Sequence, residues 1–203
     1  CIWSPISSCG LYVPGGKALY PSSVCMNTIP AKIAGVSTLV MTTPPQKDGS
    51  IAPEILVAAQ ECGVDIIIKA GGAQAIFGLA LGTESIPKVD KIVGPGNAYV
   101  DCAKQLVYGL VDIDKPAGPS EVLVVVEDPK YAHFAAAELL TQCEHDPDAN
   151  GAIISTNKNV LELIQTELKS QIKSLKRTDI LVQSLKKSAL YLVSTQEAAI
   201  DAI

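Results

Sequence analysis

Residues 116–126 read Pro-Ala-Gly-Pro-Ser-Glu-Val-Leu-Val-Val-Val, and this stretch decides the fold. A loop rich in glycine and proline delivers Ser120 to the start of an apolar run, Val122 to Val126, which predicts a buried strand. Helical spacing then extends to His145, and a second apolar run follows at 152–155. An apolar strand, a helix and another apolar strand in succession are typical of a parallel sheet.

The same alternation extends along the chain. The apolar runs predict strands at 10–13, 36–42, 64–68, 91–93, 121–126, 152–155 and 190–193. Helical patterns occupy 22–34, 51–62, 73–81, 97–108, 131–145 and about 161–175, and a capping box starts a last helix at Ser194. We therefore expect an α/β fold in which parallel sheets carry helices on both faces.

Composition excludes several classes of protein. The chain has 203 residues, of which 48% are hydrophobic and 18% charged, enough for a substantial core. A net charge of −5, with one short basic run at 173–177, argues against a nucleic-acid partner. The longest apolar strand run, Val122 to Val126, is far too short to cross a bilayer, so we expect no membrane association.

The cysteines and the chain ends add three further expectations. Six cysteines without a C-x-x-C pair indicate free thiols in a reducing compartment, which predicts a cytoplasmic protein. Neither Cys1-Ile2-Trp3 nor the stop at Ile203 resembles a natural terminus, so we expect a piece of a longer protein. Because composition shifts near residue 120, we expect one domain at 1–120 and a second at 121–203.

Three glycine loops, at 14–16, 71–72 and 94–96, each lie between a predicted strand and a predicted helix. Such loops expose backbone N–H groups where a phosphate can bind, and ligands gather at these strand ends in open α/β sheets. None carries the full dinucleotide fingerprint, and each alone is more typical of a tight turn than of a nucleotide site. Tyr12, Gln74 and Asn97 lie on them: a tyrosine can cover an adenine or ribose, and amides can bond ribose hydroxyls.

A candidate metal site comes from Gln142 and His145, which lie three residues apart and so share one face of the predicted helix. An amide oxygen and an imidazole nitrogen both suit zinc, although two ligands are half of a tetrahedral set. The alternative is a histidine that interacts with the helix C-terminal dipole. Ser120 lacks the setting of a nucleophile elbow and is interpreted as a substrate contact or a polar strand start, and Glu121 as a base or a solvated acid.

Six motifs together resemble the histidinol dehydrogenase family. They occur in the family's order over some 140 residues and cover only the middle of its length. They are Gly10-Leu11-Tyr12-Val13-Pro14-Gly15-Gly16, Gly71-Gly72-Ala73-Gln74-Ala75, Gly82-Thr83-Glu84-Ser85, Lys88 to Asn97 (Lys-Val-Asp-Lys-Ile-Val-Gly-Pro-Gly-Asn), Pro116 to Glu121, and Gln142-Cys143-Glu144-His145.

The resemblance implies a zinc- and NAD-dependent oxidoreductase of histidine biosynthesis. It would oxidise L-histidinol through L-histidinaldehyde to L-histidine, with two NAD as hydride acceptors. By matching motif, the NAD contacts would be Tyr12, Gln74 and Asn97. Ser120 would contact substrate, and Gln142 and His145 would bind both zinc and substrate.

The resemblance also places part of the active site outside this chain. The remaining zinc ligands, an aspartate and a histidine, and the Glu-His acid/base pair would follow Ile203, so we expect no catalytic residue here and no activity from this chain alone. The family implies a homodimer whose active sites use both subunits. It also implies two related, incomplete Rossmann-like domains: an NAD-binding domain at 1–120, and a second, at 121–203, only partly present.

Two other functions stay open at this point. A related zinc and NAD enzyme could oxidise another amino- or sulfo-alcohol on the same scaffold. A non-catalytic nucleotide-binding or dimerisation module would carry the same glycine loops without a complete active site.

Overall fold

The computed structural model describes residues 2–15, 19–116 and 121–201. The chain divides into two compact units, Cys1–Gly118 and Pro119–Ile203, here called unit 1 and unit 2. Each unit contains its own parallel sheet with helices packed against it. The predicted fold class, α/β with helix-flanked parallel sheets, is confirmed.

Unit 1 alternates strands and helices throughout its described residues. The elements are β1 (Ser8–Tyr12), α1 (Pro21–Ile33), β2 (Thr38–Thr42), α2 (Pro53–Cys62), β3 (Ile66–Ile68), α3 (Gly72–Leu81), β4 (Lys91–Val93), α4 (Ala98–Val107) and β5 (Asp112–Ile113). The strands lie in the order β3-β2-β1-β4-β5, and all four pairings are parallel. Gly10 in the central strand lies opposite Val40 on one side and Ile92 on the other.

This strand order creates a switch point between β1 and β4. The chain first moves outward from β1 through β2 to β3, then returns to the other side of β1 for β4 and β5. The connections on either side of β1 consequently use opposite faces of the sheet. At such a point the loops after two neighbouring strands diverge and leave a crevice at their carboxyl ends.

The two faces of the unit 1 sheet bury separate cores, as the period-2 alternation of a strand requires. Leu11, Leu39 and Met41 pack on the face of α1 and α2, with Val24 and Ile55. The other core joins Tyr12, Val40 and Ile92 to the apolar faces of α3 and α4. Because both faces are covered, β1 and β2 are almost completely buried along their length.

Unit 2 is a three-stranded parallel sheet with its helices concentrated around one core. Its elements are β6 (Glu121–Val125), α5 (Ala132–Cys143), β7 (Asn150–Ser155), α6 (Lys158–Gln171), α7 (Thr178–Leu185), β8 (Ala189–Leu192) and α8 (Gln196–Asp201). The strand order is β6-β7-β8. Leu139, Leu140, Ile153, Ile164 and Leu181 form the centre of the core.

Several element boundaries differ from the sequence predictions. Helix α1 starts at Pro21 with Tyr20 as its N-cap, not with Ser22 as the cap, because proline is favoured in a first turn. The last helix is capped by Thr195 in place of Ser194, since the Thr195 hydroxyl accepts the N–H of Ala198 at 3.1 Å. The patterns did not predict β5 or α7 at all, as both are too short to show a clear period.

Among residues 2–15, 19–116 and 121–201, no helix combines the length and the apolar character needed to cross a bilayer.

Candidate functional site

The candidate nucleotide site of unit 1 lies at the carboxyl ends of its strands. Tyr12 is the last residue of β1, and Gly94 follows β4 directly, so the two flank the switch point. The predicted contact Gln74 lies in the first turn of α3, and Asn97 immediately precedes α4. The fold therefore places all three predicted NAD contacts at strand ends or helix starts along the same edge of one sheet. The second glycine of the 14–16 loop, Gly16, lies outside the described residues.

Tyr12 is held inside the core by its ring and by its hydroxyl. The residue is 3% exposed, and its ring packs among the apolar side chains of α3 and α4. Its phenolic oxygen accepts the backbone N–H of Gly72 at 3.0 Å. The ring thus offers little surface to cover an adenine or ribose, and NAD contact by Tyr12 stays a prediction.

The start of α3 leaves backbone donors for a ligand. Gly71 is the N-cap, so no cap side chain competes for the first-turn N–H groups. Gly72 has a φ of +71°, and a Cβ there would lie 3.0 Å from Oε1 of Gln74. Gln74 itself is exposed. Glycine at this position therefore lets the backbone turn tightly beneath an accessible amide side chain.

Asn97 has a structural task as well as its predicted ligand contact. Its Oδ1 accepts the backbone N–H groups of Tyr99 and Val100, each at 3.1 Å, which makes it the N-cap of α4. A good N-cap is worth about 1 kcal/mol to a helix. Since the oxygen is committed to the helix, the amide N–H₂ group of this exposed residue is the part able to bind a ligand oxygen.

Gly94 cannot be replaced without disturbing β1. Its φ is +119°, and a Cβ built on it would lie 2.1 Å from the carbonyl oxygen of Tyr12. Real Cβ atoms do not approach an oxygen so closely, so only glycine fits between the two strand ends.

Lys104 and Asp114, which the sequence patterns missed, hold Gly94 in place. Lys104 is 2% exposed, pairs with Asp114 and donates to the carbonyl oxygen of Gly94 at 3.0 Å. Burial opposes ionisation of Asp114, but the bonds from Lys104 and from the N–H groups of Gly94 and Lys115 outweigh it, so the pKa of Asp114 is lowered. A signal was present: Lys104 falls on the apolar stripe of α4 beside Val100, Ala103 and Val107.

In unit 2, the structure separates Gln142 and His145 into different local environments. Helix α5 ends at Cys143, so the prediction that it continues to His145 was wrong. Pro147 disfavours helical conformation in the preceding residue, and Asp146 instead accepts the N–H of Asp148 at 2.9 Å in a turn. His145 is exposed in that turn, and its N–H reaches the carbonyl oxygen of Gln142 at 3.4 Å. The two are neighbours at a helix end, not members of one helical face.

Gln142 carries a feature that fits a ligand-binding role. Its Nε2 is buried, and among the described residues it has no hydrogen-bond partner. Amide nitrogen and oxygen are assigned from their partners, so an exchanged amide would put the acceptor Oε1 at this position. With the imidazole of His145 this gives the oxygen and nitrogen donors that zinc accepts. In the described part of the chain, no cluster of three or more His, Cys, Asp or Glu residues could hold a metal by itself.

Side chains from α7 and from the residue before it hold the end of α5. The Ser184 hydroxyl, fully buried, donates to the carbonyl oxygen of Cys143 at 2.8 Å. Arg177 reaches the carbonyl oxygen of Glu144 at 3.4 Å. These contacts satisfy helix-end carbonyl groups and fix the backbone that carries Gln142.

The other candidate residues of unit 2 are accounted for differently. Ser120 lies outside the described residues. Glu121 is exposed and accepts a bond from Asn150 at 3.1 Å, which suits a solvated strand start. His133 is exposed, and its Nδ1 lies 3.0 Å from Glu167, which makes it a surface partner of α6.

Sequence comparison gives a consistent result over the whole chain. The sequence model of one family, described as histidinol dehydrogenase, matches residues 1–203. The histidinol dehydrogenase of Clostridium acetobutylicum is 52% identical over 193 residues, which is 95% of this chain and 45% of that protein. The enzyme of Halalkalibacterium halodurans is 48% identical over 201 residues, 98% of this chain and 47% of that protein. The chain thus spans somewhat less than half the length of these curated relatives.

Structural comparison agrees and adds a more distant likeness. A crystal structure of histidinol dehydrogenase from Elizabethkingia anophelis superposes with a TM-score of 0.92 at 42% identity, covering 98% of this chain and 46% of that one. A propionaldehyde dehydrogenase from Rhodopseudomonas palustris superposes with a TM-score of 0.61 at 16% identity, over 98% of this chain and 56% of that one, which shows a shared fold alone. Because the family model matches all 203 residues and the relatives are about 50% identical, the chain belongs to the histidinol dehydrogenase family of oxidoreductases.

Proposed function

We propose that this chain forms part of a zinc- and NAD-dependent histidinol dehydrogenase of histidine biosynthesis. The reaction converts L-histidinol, two NAD⁺ and water to L-histidine, two NADH and three protons, with L-histidinaldehyde as the intermediate. The observation that carries the proposal is the family match over all 203 residues. Strand-end loops at a switch point support it, because nucleotides bind at that place in open α/β sheets.

Unit 1 is proposed as the NAD-binding domain. The first-turn N–H groups of α3 other than that of Gly72, which donates to Tyr12, can bind phosphate oxygens. Gln74 and Asn97 can bind hydroxyl groups at the starts of α3 and α4. Tyr12 supports the 71–72 loop through its bond to Gly72. These residues bind and orient the cofactor, and a fixed orientation can lower a reaction barrier by several kcal/mol.

Unit 2 is proposed to supply half of the zinc and substrate site. Gln142 and His145 would hold the metal, which when bound supplies an electrophilic centre that orients the alcohol substrate. Ser120 would contact the substrate. The two further ligands and the Glu-His acid/base pair are proposed to come from sequence beyond Ile203, and the complete sites from a homodimer. Free thiols at all five described cysteines suit the proposed cytoplasmic location.

Metal content tests the zinc ligands directly. In the full-length protein, we expect Gln142→Ala and His145→Ala each to lower bound zinc, measured by inductively coupled plasma mass spectrometry. Loss of an outer-shell partner already weakens metal binding about 10–100-fold, so loss of a ligand should cost at least as much. His133→Ala is the matched control, since that histidine is a surface partner of Glu167. Normal zinc in both site variants would contradict the assignment.

Turnover tests the substrate and separates the alternatives. NADH formation at 340 nm from L-histidinol supports the proposal, whereas turnover of a different amino- or sulfo-alcohol alone would favour a related enzyme. NAD binding without any turnover would favour a non-catalytic module. For the cofactor contacts, Gln74→Ala should raise KM for NAD, and Gln60→Ala, an exposed glutamine on α2, should not.

A further inference from the structure

The ion pair of Lys104 and Asp114 is the charged group least expected in the core of unit 1. Lys104 is 2% exposed on α4, at a position where the stripe would otherwise be apolar. Burying an ammonium group is costly unless a charge and hydrogen bonds compensate it. An apolar residue of similar volume would fill the same space without that cost. The pair therefore calls for a role beyond packing.

The pair binds both backbone polar groups of one residue, Gly94. Nζ of Lys104 donates to the carbonyl oxygen of Gly94 at 3.0 Å, and the N–H of Gly94 donates to Oδ2 of Asp114 at 2.9 Å. Lys104 also donates to Oδ1 of Asp114, which closes the contact between the two side chains. Asp114 is fixed in turn by the N–H of Lys115 at 2.7 Å. Helix α4 and the end of β5 thereby both hold Gly94.

The loop that starts at Gly94 has little means of holding itself. Gly94 and Gly96 have no side chains, and Pro95 has no N–H to donate. At the far end of this loop stands Asn97, which caps α4 and is a proposed NAD contact. The bonds to the two backbone polar groups of Gly94 therefore restrain the start of the loop that leads to Asn97.

We propose that Lys104 and Asp114 are positioning residues that preorganise the Gly94–Asn97 loop for the nucleotide. This inference rests on the proposed function of unit 1. Neither side chain needs to touch the cofactor or the reacting atoms. Their contribution is to affinity for NAD, because an ordered loop loses less conformational freedom when the nucleotide binds.

The test uses Lys104→Met and Asp114→Asn in the full-length enzyme, with steady-state kinetics and NADH fluorescence titration. Bonds to charged groups are worth about tenfold to a hundredfold in an equilibrium. We expect KM for NAD and Kd for NADH to rise by about that factor. KM for L-histidinol, kcat at saturating NAD and zinc content should stay within about twofold, a split that general destabilisation would not give.

The chain offers a control ion pair nearby, between the neighbouring strands β4 and β5. Lys91 and Asp112 form an ion pair at 2.5 Å, but with side chains 32% and 56% exposed and without bonds to the loop. Lys91→Met and Asp112→Asn should leave both NAD constants unchanged. The proposal is overturned if the Lys104 and Asp114 variants match this control pair. If Lys104→Met does not fold, Asp114→Asn decides, because that side chain is one-third exposed.

Failure of the proposed function gives a different result. An unmodified full-length protein that neither binds NADH nor oxidises L-histidinol would overturn the function, and this inference with it. A different outcome is an unmodified protein that binds NADH and oxidises L-histidinol while the Lys104 and Asp114 variants behave like the Lys91 and Asp112 variants. That result overturns the positioning role and leaves the proposed function standing.

Discussion

The phenolic oxygen of Tyr12 accepts a hydrogen bond from the backbone N–H of Gly72, with 3.0 Å between the two atoms. The bond joins the end of β1 to the start of α3 across 60 residues of sequence. It therefore ties two of the loops at the candidate nucleotide site to each other. Removing it tests how far these loops depend on one another.

Tyr12→Phe should destabilise the full-length protein by about 1–3 kcal/mol. The change keeps the ring but leaves the Gly72 N–H without its acceptor in a half-buried place. Urea denaturation measures the difference. Tyr108→Phe is the control, because Tyr108 is 67% exposed and should change stability by less than about 0.5 kcal/mol. Equal losses in the two variants would contradict the interpretation.

Gly94→Ala and Gly109→Ala separate steric clash from backbone strain. Both glycines have positive φ, +119° and +95°, but a Cβ at Gly109 meets nothing within 4 Å. Gly109→Ala should therefore cost about 1–2 kcal/mol. Gly94→Ala should exceed about 4 kcal/mol or abolish folding, because its Cβ would lie 2.1 Å from the Tyr12 oxygen. Yields of folded protein and denaturation midpoints check the order, and similar costs at both sites would refute it.

Acid should weaken the contribution of Asp114. Its pKa is lowered in the folded protein: burial opposes ionisation, but the bond from Lys104 and the backbone N–H bonds dominate. A carboxylate with a lowered folded pKa stabilises at pH values above its unfolded pKa of about 3.9, and this stability disappears as pH falls through the folded value. The stability gap between wild type and Asp114→Asn should thus shrink from pH 7 to pH 3 in urea titrations. A difference in unfolding free energy that stays constant with pH would contradict a lowered pKa for Asp114.

Thiol labelling should distinguish Cys102 from Cys9. Burial raises the pKa of Cys9 to about 11, and the residue is 3% exposed, so both its thiolate fraction and its access are low. Cys102 is exposed on α4. With iodoacetamide at pH 8, peptide mass spectrometry should find Cys102 modified well before Cys9. Comparable rates would mean that β1 opens readily in the native protein.

Ser184→Ala should loosen the end of α5. The hydroxyl is buried, and its bond to the Cys143 carbonyl oxygen at 2.8 Å satisfies a helix-end acceptor. We expect a loss of about 1–3 kcal/mol in unfolding free energy. Ser170→Ala, at an exposed position of α6, serves as the control and should have little effect. A neutral Ser184→Ala would show that the carbonyl group finds another partner.

Much of the fold follows from local sequence, whereas the details of the site depend on distant residues. Strand β4 was predicted at 91–93 as observed, because a glycine and a proline follow a short apolar run. The end of α5 was predicted two residues too late. The helical pattern continues past Cys143, but Pro147 and the turn at Asp146 favour a non-helical backbone there. An apolar pattern of helical period carries no information on how stable the turn after the helix is.

The ion pair of Lys104 and Asp114 shows a second limit of sequence patterns. Lys104 lies on a helix face that the apolar spacing identifies, but its partner is supplied by the end of a two-residue strand. Such a short strand has no period to detect. Only the parallel pairing of β4 with β5 brings Asp114 beside Gly94, and no local pattern contains that pairing.

The enclosure of the Lys104 amine has a practical use in the laboratory. Reductive methylation and other amine-directed reagents modify the ε-amines that they can reach, and this one is 2% accessible and held by two acceptors. Surface methylation before crystallisation should leave the contacts of Lys104 with the Gly94–Asn97 loop unchanged. For the same reason, a methyl group that appears on Lys104 over time would record how often unit 1 opens.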